Sequence, residues 1–193
     1  MDSSFLNKFD NYKLDLHGVR MPSFEVENKY KREIGLSEDA SKLEFLKQKC
    51  YVRLNELKDS KYIKPSKFKE YKDRTDEELE ILDKLDFIDY MLLVWHVTNF
   101  CDENKIARGL GRGSAAGSLV LYLIDVVRVD PIKHGLFFQR FVSEVRAKKE
   151  VVDGIVYLDG SLMADVDLDI CYYDRQKFFS TLKKSLRVKL LRF

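Results

Sequence analysis

Cysteine is scarce and badly placed for cross-linking. Cys50, Cys101 and Cys171 are odd in number and widely spaced. They fit neither a disulfide framework nor paired zinc ligands, and they point to a reducing interior. Long apolar runs are missing too. Residues 91–100 form an apolar stretch too short to span a bilayer, so no membrane partner is expected. Residues 1–10 lack the apolar core of a secretory signal. No repeat or low-complexity tract is visible. Nor does one sign of charge dominate: the net charge is +2, unlike that of a protein that coats DNA. The imbalance is local. Residues 175–193 hold seven Lys or Arg and no acid, so the remainder carries −5. Phe178, Phe179, Leu182 and Leu186 give this tail the spacing of an amphipathic helix. A backbone-binding arm for nucleic acid is the alternative. With 45% apolar and 34% charged residues in 193, the chain can pack about one charge-rich domain.

What is present is concentrated in two places. Residues 164–170 read Ala-Asp-Val-Asp-Leu-Asp-Ile. On a strand, Asp165, Asp167 and Asp169 fall on one face and Val166, Leu168 and Ile170 on the other. Same-face carboxylates repel and Asp is depleted in strands, so three in alternation need a reason. A pair of divalent cations is one, because i, i+2 carboxylates stand roughly 7 Å apart. A solvated edge strand is the bland alternative.

The second place is Gly-Leu-Gly-Arg-Gly-Ser-Ala-Ala-Gly-Ser at 109–118, followed by the apolar run 119–127. Small residues admit a ligand close to the backbone. A helix opening at Ser114 or its neighbour would present anion-binding amides, and Arg112 adds a guanidinium suited to phosphate. The segment is neither a P-loop, lacking Lys-Ser/Thr after the last glycine, nor a good dinucleotide fingerprint. A flexible turn plus a cap is the plain alternative. Together, a phosphate cradle and a carboxylate strand supply the two halves of nucleotidyl transfer.

Local signals give the remaining frame. Residues 1–36 read as irregular. Residues 37–57 read as a helix with Ser41 and Glu44 as a capping box. A second box at Thr75-Asp76-Glu77-Glu78 opens a long helix carrying Ile81, Leu85, Ile88, Leu92 and Trp95, bent near Phe87. Lys and Glu crowding at 61–80 reads as a solvated face. Trp95 and His96 read as core or capping residues; His17 and His134 read as surface. Residues 115–127 form a buried helix. Asp130-Pro131 starts another by the cap-then-proline rule, carrying Arg140 near its end. Two Asp-Gly turns, at 153–154 and 159–160, imply a small meander feeding the aspartate strand.

Four blocks in order resemble a known family: Gly-Arg-Gly-Ser-Ala-Ala-Gly-Ser-Leu-Val at 111–120, Val-Asp-Pro-Ile-Lys at 129–133, Gly-Leu-Phe-Phe-Gln-Arg-Phe-Val at 135–142, and Asp-Val-Asp-Leu-Asp at 165–169. They look like the palm of the bacterial family C replicative DNA polymerases, the DNA polymerase III alpha subunits. The likeness extends more loosely over residues 20–180. It implies an α+β fold: part of a polymerase-beta-like nucleotidyltransferase palm, with a mixed sheet and flanking helices. The expected organisation is a lead-in at 1–36, partial palm at 37–175 and basic helical tail at 176–193. By position, Asp165 and Asp167 match catalytic, metal-binding aspartates. Arg112, Gly113 and Ser114 match a triphosphate-contacting segment, and Arg140 matches a basic residue that reaches the incoming nucleotide. Asp169 aligns with a third acid of less defined role. The implied cofactor is Mg2+ as two ions, and the implied partners are primer-template DNA and dNTP. The implied setting is the cytoplasm of a bacterial cell.

Two departures stand out. Ala164 replaces the family's usual proline. Residues 148–163 are interposed before the aspartates, a variation that suits bacteriophage members. The family's third catalytic aspartate, phosphoesterase-like domain, fingers and clamp-binding segment have no counterpart in this chain, nor does most of its thumb. The remainder of the polymerase is therefore expected on a separate or missing polypeptide, through a split gene, premature stop or frameshift. Little or no activity is expected from the chain alone. Two other readings stand beside the polymerase. One is an inactive or split fragment that binds only nucleotide or a partner chain; the other is a stand-alone nucleotidyltransferase.

Overall fold

A computed structural model describes residues 19–20, 23–142, 149–152, 155–158 and 164–186. Most of these are helical, in α1 (Asn28–Glu33), α2 (Lys42–Asp59), α3 (Phe68–Lys84), α4 (Ile88–Glu103), α5 (Leu119–Leu123) and α6 (Arg175–Leu186). Short 3-10 turns at Pro65–Lys67, Gly113–Gly117, Phe138–Arg140 and Tyr172–Asp174 link them.

The capping box at the start of α2 forms. Ser41 Oγ accepts from the Glu44 amide at 3.2 Å, and Glu44 accepts from the Ser41 amide at 2.7 Å. Phe45, Leu46, Cys50, Leu54 and Leu57 face inward from α2, toward α3, α4 and α5. The second box does not form. Helix α3 has already begun at Phe68, and buried Thr75 donates to the Tyr71 carbonyl at 2.8 Å. A hydroxyl satisfied by the i−4 carbonyl sits in a helix interior. The expected long helix is two helices. The backbone turns left-handed at Asp86, φ +59, and α4 restarts after Phe87. The apolar stripe survives the break, with Leu82, Leu85, Ile88, Met91, Leu92 and Trp95 all in the core.

Trp95 and His96 are packing residues. Trp95 meets Tyr30 edge-on at 5.1 Å and Phe45 at 5.2 Å. His96 lies 5.2 Å from the Phe24 ring, and burial holds its imidazole below its ordinary range. The same contacts explain α1, which falls in the stretch expected to be irregular: Tyr30 on α1 is buried against Trp95.

Two further helices are shorter than expected. α5 spans only Leu119–Leu123, and the chain turns left-handed at Asp125, φ +58. After Pro131 there is a single turn. Asp130 Oδ1 caps it, accepting from the amides of Ile132 at 3.0 Å and Lys133 at 3.1 Å. Gly135, φ +61, then redirects the chain. Arg140 therefore rides on the 3-10 turn Phe138–Arg140.

A small antiparallel sheet has the order β1 (Val19–Arg20), β3 (Ile155–Leu158), β2 (Lys149–Val152). Val152 pairs with Ile155 across residues 153–154. The turn expected at 159–160 lies outside the described residues. The mixed sheet expected around the aspartates does not form among the described residues. Residues 164–170 are extended, tied by one antiparallel bridge between Arg108 and Ile170. Alternation requires only extended backbone with one covered side. Ala164 is buried, Val166 and Leu168 pack on the main core, and Ile170 packs on a second cluster of Phe100, Cys101, Ile106 and Phe178. The three cysteines are free thiols, Cys50 and Cys101 buried and Cys171 half-buried. Among the described residues no helix is long and apolar enough to cross a membrane.

Candidate functional site

The glycine loop is held at both ends by backbone. The Gly109 amide donates to the Asp169 carbonyl at 2.9 Å, and the Cys171 amide donates to the Ala107 carbonyl at 3.0 Å. These flank the Arg108–Ile170 bridge and lay the loop beside the aspartate segment. On the other side the Arg128 amide donates to the Leu110 carbonyl at 2.8 Å. Two glycines are required by space. A Cβ at Gly111, φ +92, would stand 2.7 Å from Val127 Cγ1, and one at Gly117 would stand 2.6 Å from the Phe137 carbonyl oxygen. The second contact seats the Phe138–Arg140 turn against the Gly113–Gly117 turn.

The anion-binding helix start expected at Ser114 is not there. The α-helix begins only after Ser118, whose Oγ accepts from the Leu121 amide at 3.2 Å. Its first amides are already taken by an internal anion. Glu78, reaching over from α3, accepts from the Leu119 and Val120 amides, both at 3.0 Å, and from Ser118 Oγ at 2.9 Å. Arg74 completes the set, donating to Glu78 at 2.9 Å and to the Gly117 carbonyl at 2.7 Å. Burial pushes the Glu78 carboxyl up, opposed by the two amides and by Arg74. Arg74 sits among the Lys and Glu that read as a solvated face, and Glu78 read as the end of a capping box; nothing in the sequence joins either to the glycine loop.

What remains open to an anion is the loop itself. Among the described residues the amides of Gly111, Arg112 and Gly113 have no backbone acceptor. Asp167 and Asp169 face this loop. Arg112 Nη2 lies 3.4 Å from Asp167 Oδ1, and its Nε lies 3.2 Å from Asp169 Oδ1. Asp167 Oδ2 is 3.5 Å from the position a Cβ at Gly113 would take. Asp165 is exposed and has no hydrogen bond or ion pair to a described residue. Tyr90 on α4 lies near Asp165 and Asp167; burial first, then the Asp165 carboxylate, push its hydroxyl up to about 12. Ser114 is half-buried on the Gly113–Gly117 turn. Arg140 is exposed on the neighbouring turn and forms no ion pair to the aspartates among the described residues. The structure thus brings Arg112 and Gly113 to Asp167, and leaves Arg140 one turn away.

A clamp behind the loop escaped the sequence reading. Arg108, with its side chain only 2% exposed, donates to Asp102 at 2.7 Å and Asp125 at 2.5 Å. Arg128 joins the same two carboxylates at 3.3 and 3.5 Å. These hydrogen bonds raise the Arg108 guanidinium against burial, which lowers it. Arg108 is also the residue that bridges to Ile170, so it sets the distance between loop and aspartates. Its place one residue before the glycines was the available signal.

Hard carboxylate oxygens facing solvent suit Mg2+ rather than a sulfur- or imidazole-seeking metal. Asp165, Asp167 and Asp169 bring three negative charges against one guanidinium, leaving the site anionic. No group of three or more His, Cys, Asp or Glu among the described residues is arranged to hold an ion alone. The donor set fits an ion that keeps waters or phosphate oxygens as further ligands, as Mg2+ does.

Comparison with known proteins assigns the chain to a family. Residues 44–186 match the family model described as the bacterial DNA polymerase III alpha NTPase domain. The DNA polymerase III subunit alpha of Aquifex aeolicus is 37% identical over 134 residues, covering 69% of this chain and 10% of that protein. The Helicobacter pylori subunit is 33% identical over 159 residues, covering 81% and 12%. That of Halalkalibacterium halodurans is 30% identical over 172 residues, covering 89% and 13%. The chain spans roughly a tenth of the length of these relatives. It belongs to the bacterial DNA polymerase III alpha family.

Proposed function

We propose that residues 37–175 are part of a polymerase-beta-like palm that adds dNTPs to a primer 3′-hydroxyl, with 1–36 as lead-in and 176–193 as a basic tail. The observation that carries this reading is the apposition of the Gly109–Ser114 loop and the aspartate segment through Arg112, Asp167 and Asp169. Asp165 and Asp167 would hold two Mg2+ ions, which supply Lewis-acid activation of a hydroxyl and neutralise a leaving pyrophosphate. The loop amides, Gly113 and Ser114 would receive the triphosphate, and Arg112 would transfer from the carboxylates to it. Arg140 would add charge from the adjacent turn. Template pairing, not any residue identified here, would select the base.

The test combines the chain with a polypeptide supplying the rest of the polymerase and measures primer extension. Asp165→Asn and Asp167→Asn are each expected to abolish it. Normal extension by the double variant overturns the assignment. A second reading is a fragment that binds metal-nucleotide without turnover. Under it, the chain alone binds Mn2+-dNTP and extends nothing. A stand-alone nucleotidyltransferase has less support, because the chain's matches are to replicative polymerase subunits.

A further inference from the structure

Directly after the aspartates the chain exposes aromatic rings that no element among the described residues covers. Tyr172 is 79% exposed and Tyr173 91%, on the 3-10 turn Tyr172–Asp174. Their rings meet edge-to-face at 5.7 Å. The turn is rigidly anchored on both sides. Upstream, Cys171 bonds back to Ala107 at 3.0 Å. Downstream, Phe178 on α6 is buried against Phe100 at 6.1 Å. With Phe178 turned inward, its neighbour Phe179 must point elsewhere, and it stands 47% exposed with the Arg175 guanidinium 5.7 Å over its ring. Tyr172, Tyr173, Arg175, Gln176 and Phe179 line one open groove of about 820 Å³.

Exposed rings of this size are unusual on a solvated surface. Their surroundings indicate what covers them. Among the described residues, the Arg175 guanidinium lies over the Phe179 ring and Lys177 follows on the same helix, and Asp174 is the single acid within the turn. Flat rings interleaved with cations, on a rigid mount, match an unpaired nucleic-acid strand: bases stack on the rings and phosphates meet the cations. An apolar protein segment would fill the groove without using that charge.

We propose that Tyr172 and Tyr173 form a stacking platform for an unpaired base of a nucleic-acid strand, with Arg175 and Lys177 meeting its phosphates. This rests on the polymerase reading and deepens it, because the platform follows the aspartate segment directly in the chain and would give the strand a further contact.

The test uses the 193-residue chain and a fluorescent single-stranded oligonucleotide, followed by anisotropy, with circular dichroism confirming that each variant is folded. Tyr172→Ser and Tyr173→Ser should each weaken binding about tenfold, while Tyr172→Phe and Tyr173→Phe keep it within about twofold. An oligonucleotide with abasic sites should lose affinity for the native chain and lose little more for the Ser variants. Native affinity in the Ser variants would refute stacking. So would losses confined to Arg175→Ala and Lys177→Ala, which would mean phosphate contacts alone. Loss of self-association in the Ser variants, with strand binding unchanged, would mean that a second copy covers the face. Failure of every form to bind any oligonucleotide would overturn this inference. Native strand binding by the Ser variants removes this inference alone and leaves the polymerase reading to the primer-extension test.

Discussion

Replacing Glu78 by Gln tests whether the glycine loop is braced from inside. The carboxylate is 1% exposed and accepts four hydrogen bonds, two at each oxygen. Gln has the same shape but only one acceptor oxygen. If its NH2 replaces Oε1, it confronts the Leu119 amide and Arg74. If it replaces Oε2, it confronts the Val120 amide, while Ser118 Oγ can still accept from it. Either way at least one buried donor is left unpaired, at about 1–3 kcal/mol, and Arg74 loses its counter-charge. A total of roughly 3 kcal/mol follows, and for a domain of this size that lowers the Tm by about 6–12 °C. Differential scanning calorimetry of the native chain and E78Q at pH 7 reads the effect directly. Glu78→Ala should fall further, because it empties a buried site as well. A Tm within about 2 °C of native for E78Q would refute the bracing argument and return Glu78 to an ordinary helix residue.

Four further outcomes follow from the same coordinates. Gly111→Ala should cost about 2 kcal/mol or more in urea denaturation, since the methyl meets Val127 at 2.7 Å and φ is +92; a neutral result would mean the loop relaxes freely. Arg108→Ala should cost about 1–2 kcal/mol: it removes the bonds of a buried guanidinium, but Asp102 and Asp125 are 42% and 50% exposed and keep Arg128 as a partner. It should also raise amide hydrogen exchange at Gly109 and Cys171, whereas Arg128→Ala, at the more exposed partner, should cost under about 1 kcal/mol. Burial lowers the His96 pKa below 6.5, so its neutral form belongs to the fold. Its contribution is complete above pH 6.5 and is lost as pH falls through and below that value. Urea midpoints should therefore drop between pH 7 and 5.5, and His96→Leu should flatten that slope. Asp165→Asn or Asp167→Asn should leave the Tm within about 2 °C while abolishing extension by the reconstituted enzyme.

Local patterns carried the fold as far as local physics decides it. The box at Ser41 and Glu44 was readable because both partners lie within four residues. The box at Thr75 was not, because its signature is indistinguishable from a helix interior until Tyr71 is seen accepting from Thr75. The break at Asp86 falls where a bend near Phe87 was expected, but the apolar stripe runs on through it, so periodicity could not tell a bend from a break. The aspartate segment read as a strand because alternation encodes one covered face, and Val166 and Leu168 do cover it; whether a neighbour pairs alongside is decided by distant chain. The loop and the aspartates could be picked out one by one. Their apposition depends on Arg108, Asp102 and Asp125, which carry no motif.

The placement of Glu78 also bears on how the outer site can work. Two sets of carboxylates lie within reach of the same ten-residue loop, and their surroundings give them opposite characters. Glu78 is sealed from water with four fixed donors, so it cannot exchange partners without a large penalty. It also consumes the amides that open α5, which removes that helix end as a phosphate site. Asp167 and Asp169 are 38% and 61% exposed, and their only described cation is Arg112, itself 60% exposed. Pairs as solvated as these are worth at most about 1 kcal/mol each. Under the proposed function, an incoming polyphosphate would therefore draw Arg112 away at small cost. Its departure returns to the aspartates the negative charge that a divalent cation requires. A rigid inner anion thus leaves the outer three acids and one arginine as the exchangeable part of the site.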